Sequence, residues 1–319
     1  MENFNLVLFS GSANPKLAEG IAKHLGIALG KIKIERFADN ETYVQFLENI
    51  RGKDVFLVQP TCNPANEHLM ELLIMIDAAK RASAGRITAV MPFYGYRRQD
   101  RKTESREPIT AKLVADLLTA AGADRVATID LHAGQVQGFF NIPLDNLTAE
   151  PLILNYLRSK KLPNLTVVAP DVGSAKGARD FSRLLNAEMA VISKKRGAHD
   201  EIETVSLIGE VKGRSIAIID DEISTGGTVA NAAEILKENG AEDIYVAVTH
   251  AILAGSAVQK LNAAPIKELI VTDTIPIPEE KKIDKIKVLS VAELLAKAIS
   301  SIHENKSVSE LFETAGIKK

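Results

Sequence analysis

Tryptophan is absent from these 319 residues, cysteine occurs once, and aromatic residues make up only 5%. One cysteine, Cys62, excludes a disulfide within the chain and a zinc site of cysteine type. An excess of one charge is lacking too, since 39 Lys and Arg stand against 41 Asp and Glu for a net charge of −2. That balance argues against the broad basic face of a protein that binds nucleic acid or an anionic membrane, and any phosphate chemistry has to use local cations. No apolar run approaches the roughly 20 residues of a membrane span. The opening Met-Glu-Asn-Phe carries no basic leader, so a cytoplasmic protein without a membrane partner is expected. What is present is an ordinary globular balance of 46% hydrophobic and 25% charged residues, over a length that suits two domains.

Short apolar runs alternate with helical patterns. Residues 4–9 read as a strand, 15–25 as a helix opened by Pro15, and 31–36, 43–46 and 55–59 as further strands. A helix over 66–81 leads to a strand at 87–91, and a helix over 109–121 to a strand at 126–129. Near residues 147–151 the pattern restarts, with helices at 152–160, 176–185, 229–239 and 291–302 and strands at 166–169, 190–192, 216–219, 244–248 and 268–271. Such alternation predicts an α/β fold whose mainly parallel sheets are flanked by helices. The halves share element order without a residue-level repeat, so two similar domains are expected, residues 1–147 and 148–319.

Residues 215–228 read Ser-Ile-Ala-Ile-Ile-Asp-Asp-Glu-Ile-Ser-Thr-Gly-Gly-Thr. A buried strand is expected to end near Ile219, placing Asp220 and Asp221 just outside the sheet, where ligands of open α/β folds collect. Ser224, Thr225, Gly226, Gly227 and Thr228 then form a small-residue loop ahead of a helix, suited to an anion at the helix N-terminus. A carboxylate accepts hydrogen bonds from a vicinal diol, and a phosphate joined to a diol is a sugar phosphate. Adjacent glycines led by acids match neither a Walker A loop nor a dinucleotide fingerprint. A surface turn rich in small residues is the bland alternative. The stretch resembles the phosphoribosyl-diphosphate loop of the type I phosphoribosyltransferase fold.

Three other places carry candidate chemistry. Residues 97–106 hold five cations, Arg97, Arg98, Arg101, Lys102 and Arg106, beside Phe93, Tyr94 and Tyr96 at a predicted strand end. This suits a nucleoside polyphosphate, although a solvated basic loop has the same composition. Lys194-Lys195-Arg196 follows a predicted strand, and a loop bearing Lys and Arg is what phosphoryl transfer requires. His132 and Asp171 stand at strand ends in different halves and could hold Mg²⁺, with a backbone-satisfied core histidine as the other reading.

Taken together, residues 37–41, 98–101, 130–140, 170–174 and 220–228 resemble the ribose-phosphate diphosphokinases, over the chain from Phe4 to Phe312. The resemblance implies two type I phosphoribosyltransferase-like domains, the first with ATP-binding segments and the second with the sugar-phosphate and catalytic loops. It implies transfer of the β,γ-diphosphoryl group of ATP to the C1 hydroxyl of ribose 5-phosphate with Mg²⁺. Phe37, Asp39, Glu41, Arg98, Gln99, Asp100 and Arg101 match the ATP site, and His132 and Asp171 the metal site. Lys194 and Arg196 match the catalytic pair, and Asp220, Asp221 and Ser224 to Thr228 the ribose 5-phosphate loop. Arg51, Arg106, Ser307, Ser309 and Phe312 match an interchain site for phosphate activation and ADP inhibition in a homohexamer.

Some positions depart from the family pattern. Ser224 stands where many members carry an acid, Arg97 replaces a small residue, Asn141 replaces an acid, and Asn49 stands where regulated members often have serine. Two rivals share parts of the pattern. A phosphoribosyltransferase consuming phosphoribosyl diphosphate would keep the acid-acid loop but lack the basic segment of the first half. A non-catalytic partner subunit would keep the fold and lose active-site groups, whereas Lys194, Arg196, His132, Asp171, Asp220 and Asp221 are all present.

Overall fold

The computed structural model describes residues 5–195 and 204–313. The chain divides into two compact units, the first holding residues up to Ala149, Thr274–Pro276 and the segment from Ser290 on, the second Glu150–Asp273 and Ile277–Leu289.

In the first unit the order is β1 (Leu6–Ser10), α1 (Pro15–Leu25), β2 (Ile32–Arg36), β3 (Thr42–Phe46), β4 (Asp54–Val58), α2 (Ala65–Arg81), β5 (Arg86–Met91), α3 (Thr110–Ala121), β6 (Arg125–Ile129) and β7 (Leu144–Leu147). Five strands form a parallel sheet in the order β1-β4-β5-β6-β7, while β2 and β3 pair only with each other as an antiparallel hairpin. Alternate strand residues Phe9, Val55, Leu57, Ile87, Ala89, Met91 and Val126 pack with Leu72, Met75 and Ile76 of α2 and with Val114 and Leu118 of α3. The period-2 pattern of the strands thus meets the helical stripes on one face.

The second unit runs α4 (Glu150–Lys160), β8 (Thr166–Ala169), α5 (Ala175–Leu185), β9 (Glu188–Lys195), β10 (Thr204–Ile208), β11 (Ile216–Ile223), α6 (Gly227–Glu238), β12 (Ile244–Ala251), α7 (Ala257–Ala263), β13 (Glu268–Thr272) and β14 (Ile286–Leu289). Its seven strands lie in the order β10-β9-β8-β11-β12-β13-β14, parallel throughout except for β10 against β9. From β8 the chain winds outward one way to β10, then returns to β11 and winds the other way. The order therefore reverses between β8 and β11.

The chain returns to the first unit through α8 (Ala292–His303) and the short α9 (Glu310–Glu313). Helix α8 packs on α1, where a Cβ added at Gly20 would lie 3.0 Å from that of Ala292. Asp54, fully buried, accepts from Arg86 Nε at 2.8 Å and lies 2.8 Å from His303 Nδ1, and Arg86 Nη2 donates to the Ile302 carbonyl at 3.0 Å. The division at Ala149/Glu150 falls two residues past the boundary read from the pattern, and the segment from Ser290 on lies with the first unit.

Two expectations change. Strand β11 continues to Ile223, because β12 goes on pairing with it through Glu222 opposite His250 and Ile223 opposite Ala251, while its pairing with β8 stops at Val168 opposite Ile218. Asp220 and Asp221 are therefore strand residues beside an edge that β8 has left, and not loop residues. Strand β9 likewise reaches Lys195, so Lys194 and Lys195 are paired backbone, opposite Val205 and Thr204. Arg196 lies outside the described residues.

Candidate active site

In the second unit the sheet order reverses between β8 and β11, the place where open α/β sheets take their ligands in a crevice outside the strand ends. Asp171 follows β8, and Asp220 and Asp221 lie in the last four residues of β11. Burial pushes the Asp220 carboxyl up to about 7, and the neighbouring charges of Asp221 and then Asp171 act in the same direction. Asp220 Oδ1 accepts from the Asp221 N–H at 2.9 Å, and Asp171 Oδ1 from the Ser174 N–H at 2.9 Å. The charges of Asp221 and Asp171 both reach Asp220 ahead of the small-residue loop. The carboxyl oxygens are hard donors of the type that binds Mg²⁺. Among the described residues no group of three or more His, Cys, Asp or Glu side chains is assembled to hold a metal ion.

Past the acids, Gly226 sits at φ 73° as the N-cap of α6. A Cβ there would be strained by that φ and would meet Leu261 and Ala257 of α7 at 3.2 and 3.3 Å, so glycine is the residue that fits. No side chain caps this N-terminus and no acid lies in its first turn. Its N–H groups and dipole remain directed at the loop formed by Ser224, Thr225, Gly226, Gly227 and Thr228.

In the first unit the loop between β5 and α3 carries the basic segment. Arg98, Gln99 and Arg101 are exposed on it, and Asp100 accepts from Gln135 Nε2 at 2.9 Å. Several bonds hold the loop. Thr61 Oγ1 accepts from the Gly95 N–H at 2.7 Å, and a Cβ at Gly95 would fall 2.4 Å from the Thr61 carbonyl oxygen. Tyr94 donates to the Ala111 carbonyl at 2.8 Å, and its burial pushes the phenol pKa upward. Phe37 is 55% exposed at the tip of the β2–β3 hairpin and edge-on to Tyr43, and Asp39 Oδ1 accepts from the Glu41 N–H at 3.2 Å. The first turn of α2 touches both segments, through Glu67 paired with Arg36 and Asn66 bonded to Tyr96. His132 is exposed, two residues beyond Asp130.

Pattern reading alone did not find Gln135, Asn66 and Thr61, which carry no local signature and matter only through their partners. Arg97 reads from the sequence as one cation of a ligand-facing run and as a departure from the family pattern, and its burial is invisible in that run. Arg51, Arg106, Ser307 and Ser309 are exposed, and Asn49 Oδ1 accepts from the Arg51 N–H at 3.0 Å. Among the described residues no hydrogen bond or ion pair joins those four to one another. The side chains of Lys194 and Phe312 lie outside the description.

The family model for the N-terminal domain of ribose phosphate pyrophosphokinase matches residues 6–122, and that for the phosphoribosyl synthetase-associated domain matches 196–313. The chain is 54% identical over 309 residues to the ribose-phosphate pyrophosphokinase of Caldanaerobacter subterraneus subsp. tengcongensis, covering 97% of this chain and 98% of the relative. To the Corynebacterium ammoniagenes protein of the same name it is 51% identical over 310 residues, with the same coverage of 97% and 98%. Among solved structures, phosphoribosylpyrophosphate synthetase from Mycobacterium smegmatis superposes with a TM-score of 0.90 at 44% identity, over 94% of this chain and 99% of that one.

Proposed function

The chain belongs to the ribose-phosphate pyrophosphokinase family, and from that membership we propose how its residues divide the work. The protein is an ATP-dependent diphosphotransferase that moves the β,γ-diphosphoryl group of ATP to the C1 hydroxyl of ribose 5-phosphate, giving phosphoribosyl diphosphate and AMP for nucleotide biosynthesis. A phosphoribosyltransferase or a non-catalytic subunit is not favoured, because the relatives match both halves of the chain.

The observation that carries the residue assignment is the reversal at β8/β11, where Asp220 and Asp221 lead into an uncapped α6 with left-handed Gly226. Ribose 5-phosphate lies there, its phosphate on the N–H groups of Ser224 to Thr228 and its diol on Asp220 and Asp221. The loop thereby fixes the sugar and presents its C1 hydroxyl. ATP takes Arg98, Gln99, Asp100 and Arg101, with adenine against Phe37, whose ring is exposed, and with Asp39 and Glu41 beside it. Lys194 and Arg196 neutralise charge that develops on the transferred group, which is where a cation lowers a barrier and not merely a KM.

An ATP-using diphosphotransferase calls for a divalent cation, assigned here as Mg²⁺ with His132 and Asp171 as its protein ligands, which when bound would neutralise phosphate charge. Self-association as a homohexamer, with phosphate and ADP as effectors acting on Arg51, Arg106, Ser307, Ser309 and Phe312, belongs to the same proposal. No described helix is long and apolar enough to cross a membrane.

The test is incubation of the purified protein with ribose 5-phosphate, ATP and Mg²⁺, following AMP and phosphoribosyl diphosphate together, with and without inorganic phosphate. Equal amounts of both products are expected. A folded protein that forms neither would overturn the reading.

A further inference from the structure

Arg97 stands in a run of cations that the sequence reads as a solvated or ligand-facing loop, yet it is 1% exposed and ranks with the largest fully buried side chains. Burying a guanidinium is costly, so the partners it does find inside the protein fix where it can sit. Here Nη1 donates to the Asp130 carbonyl at 2.6 Å, and the guanidinium carbon lies 5.2 Å from the Phe93 ring centroid, a cation–π contact. Asp130 adopts φ 43°, in the left-handed region that non-glycine residues rarely enter. All of its polar groups have work in that pose. The N–H donates to the Leu147 carbonyl at 3.0 Å, Oδ2 accepts from the Ala149 N–H at 3.0 Å, and the carbonyl takes Arg97. The next N–H, of Leu131, donates to Asn146 Oδ1 at 3.1 Å.

The consequence concerns two loops of the first unit. Arg97 is covalently next to Arg98 on the β5–α3 loop, and the carbonyl it grips belongs to the peptide that leads through Leu131 to His132. A second tie runs in parallel, from Gln135 to Asp100 at 2.9 Å. We propose that Arg97 is a positioning residue that sets the spacing between the nucleotide-binding segment at Arg98 and the His132 segment, so that it governs ATP binding without touching ATP. The proposal rests on the assignment above of Arg98 to ATP and His132 to its metal. Because the assigned sugar-phosphate loop is in the other unit, the effect is confined to one substrate.

The experiment compares the wild type with Arg97→Ala, Arg97→Lys and Arg97→Met, measuring KM for ATP and for ribose 5-phosphate separately, and binding of a non-hydrolysable ATP analogue by calorimetry. Arg97→Ala is expected to raise KM for ATP and the analogue Kd about tenfold, the loss of one buried charge-assisted bond, with KM for ribose 5-phosphate within twofold of wild type. Arg97→Lys restores one N–H···O bond but not the planar stacking, so it falls between the two. Millimolar guanidinium should recover part of the analogue affinity in Arg97→Ala. Unchanged KM for ATP and unchanged analogue Kd in the folded variants would overturn the proposal. So would equal rises in both KM values tracking a lowered Tm, the mark of a general packing role. If Arg97→Ala does not fold, the lysine and methionine variants decide by the same split. Wild-type protein that forms no AMP would instead count against the functional reading, and the calorimetry would still report on the loop spacing.

Discussion

The two units use the same elements and treat their strand ends in opposite ways. In the second, β9 stays in the sheet beside β8, the order reverses at β8/β11, and the crevice is lined by Asp171, Asp220 and Asp221 with an uncapped helix beyond. In the first, the strands on the far side of β1 have peeled away as the β2–β3 hairpin, which keeps the backbone bond from Gly30 N–H to the Leu8 carbonyl at 2.8 Å. The space at the strand end of β1 is filled by the unit's own side chains. Glu71, 2% exposed, accepts from the Ser12 N–H and hydroxyl at 2.7 Å each, and fully buried Gln59 accepts from the Ala13 N–H at 3.0 Å while donating to Glu71 at 2.7 Å. A Cβ at Gly11 would fall 2.3 Å from Gln59 Oε1, so that loop is closed around the pair. The second unit leaves the α6 N-terminus without a side-chain cap, whereas the first satisfies its loop after β1 from within. The first unit's candidate chemistry lies instead on the β5–α3 loop and the hairpin tip.

The comparison breaks most sharply at Lys194. Lys194→Ala is expected to lower kcat by about a thousandfold, as removal of a transition-state donor does, with ribose 5-phosphate binding by calorimetry nearly unchanged. A near-normal turnover would remove Lys194 from the mechanism.

Asp220→Asn should raise KM for ribose 5-phosphate about tenfold, the scale of one hydrogen bond to a charged group, and leave KM for ATP alone. The same variant sharpens the electrostatic contrast. Folded Asp220 takes its proton near pH 7, whereas an unburied aspartate does so near 3.8. Between those values the folded state holds a proton that the unfolded chain has lost, so stability falls as pH rises through the window, and the penalty is complete above pH 7. Metal-free Asp220→Asn should therefore melt above wild type at pH 8, with the gap shrinking toward pH 4. A gap that widens at acid pH would reverse the sign and reject the cause.

The filled crevice of the first unit predicts a loss of another kind. Glu71→Ala strands the Ser12 N–H and the Gln59 amide, costing about 3 kcal/mol, visible as a fall in Tm with KM for ribose 5-phosphate unmoved. His303→Ala, which removes one contact of buried Asp54 while Arg86 remains, should cost only about 1 kcal/mol. A larger drop in a denaturant melt would show that the return of α8 depends on it.

Much of this was legible in the chain. Helices α1, α2, α3 and α6 and most central strands follow from apolar spacing, because the face each buries is written in its own period. The edge strands β7, β10 and β14 and the short α7 do not stand out in the sequence, since half-buried or brief elements have weak patterns. The acids at 220 and 221 were identified by residue type but placed beyond the strand, because only the length of β12 shows that β11 goes on. In the first unit the ties from Thr61 to Gly95, from Gln135 to Asp100 and from Arg97 to Asp130 join residues more than 30 positions apart. No local pattern announces such bonds.

By itself the sequence determined the α/β class and made the acid-acid-glycine stretch a candidate site, because these depend on periodicity, backbone freedom and charge, which are local. Tertiary structure alone decided where the sheet reverses, which crevice is filled from within, which arginine of a basic run is buried, and that α8 closes against the first unit. Those outcomes turn on which distant side chain reaches a given donor or acceptor first, and burial then makes that choice costly to undo.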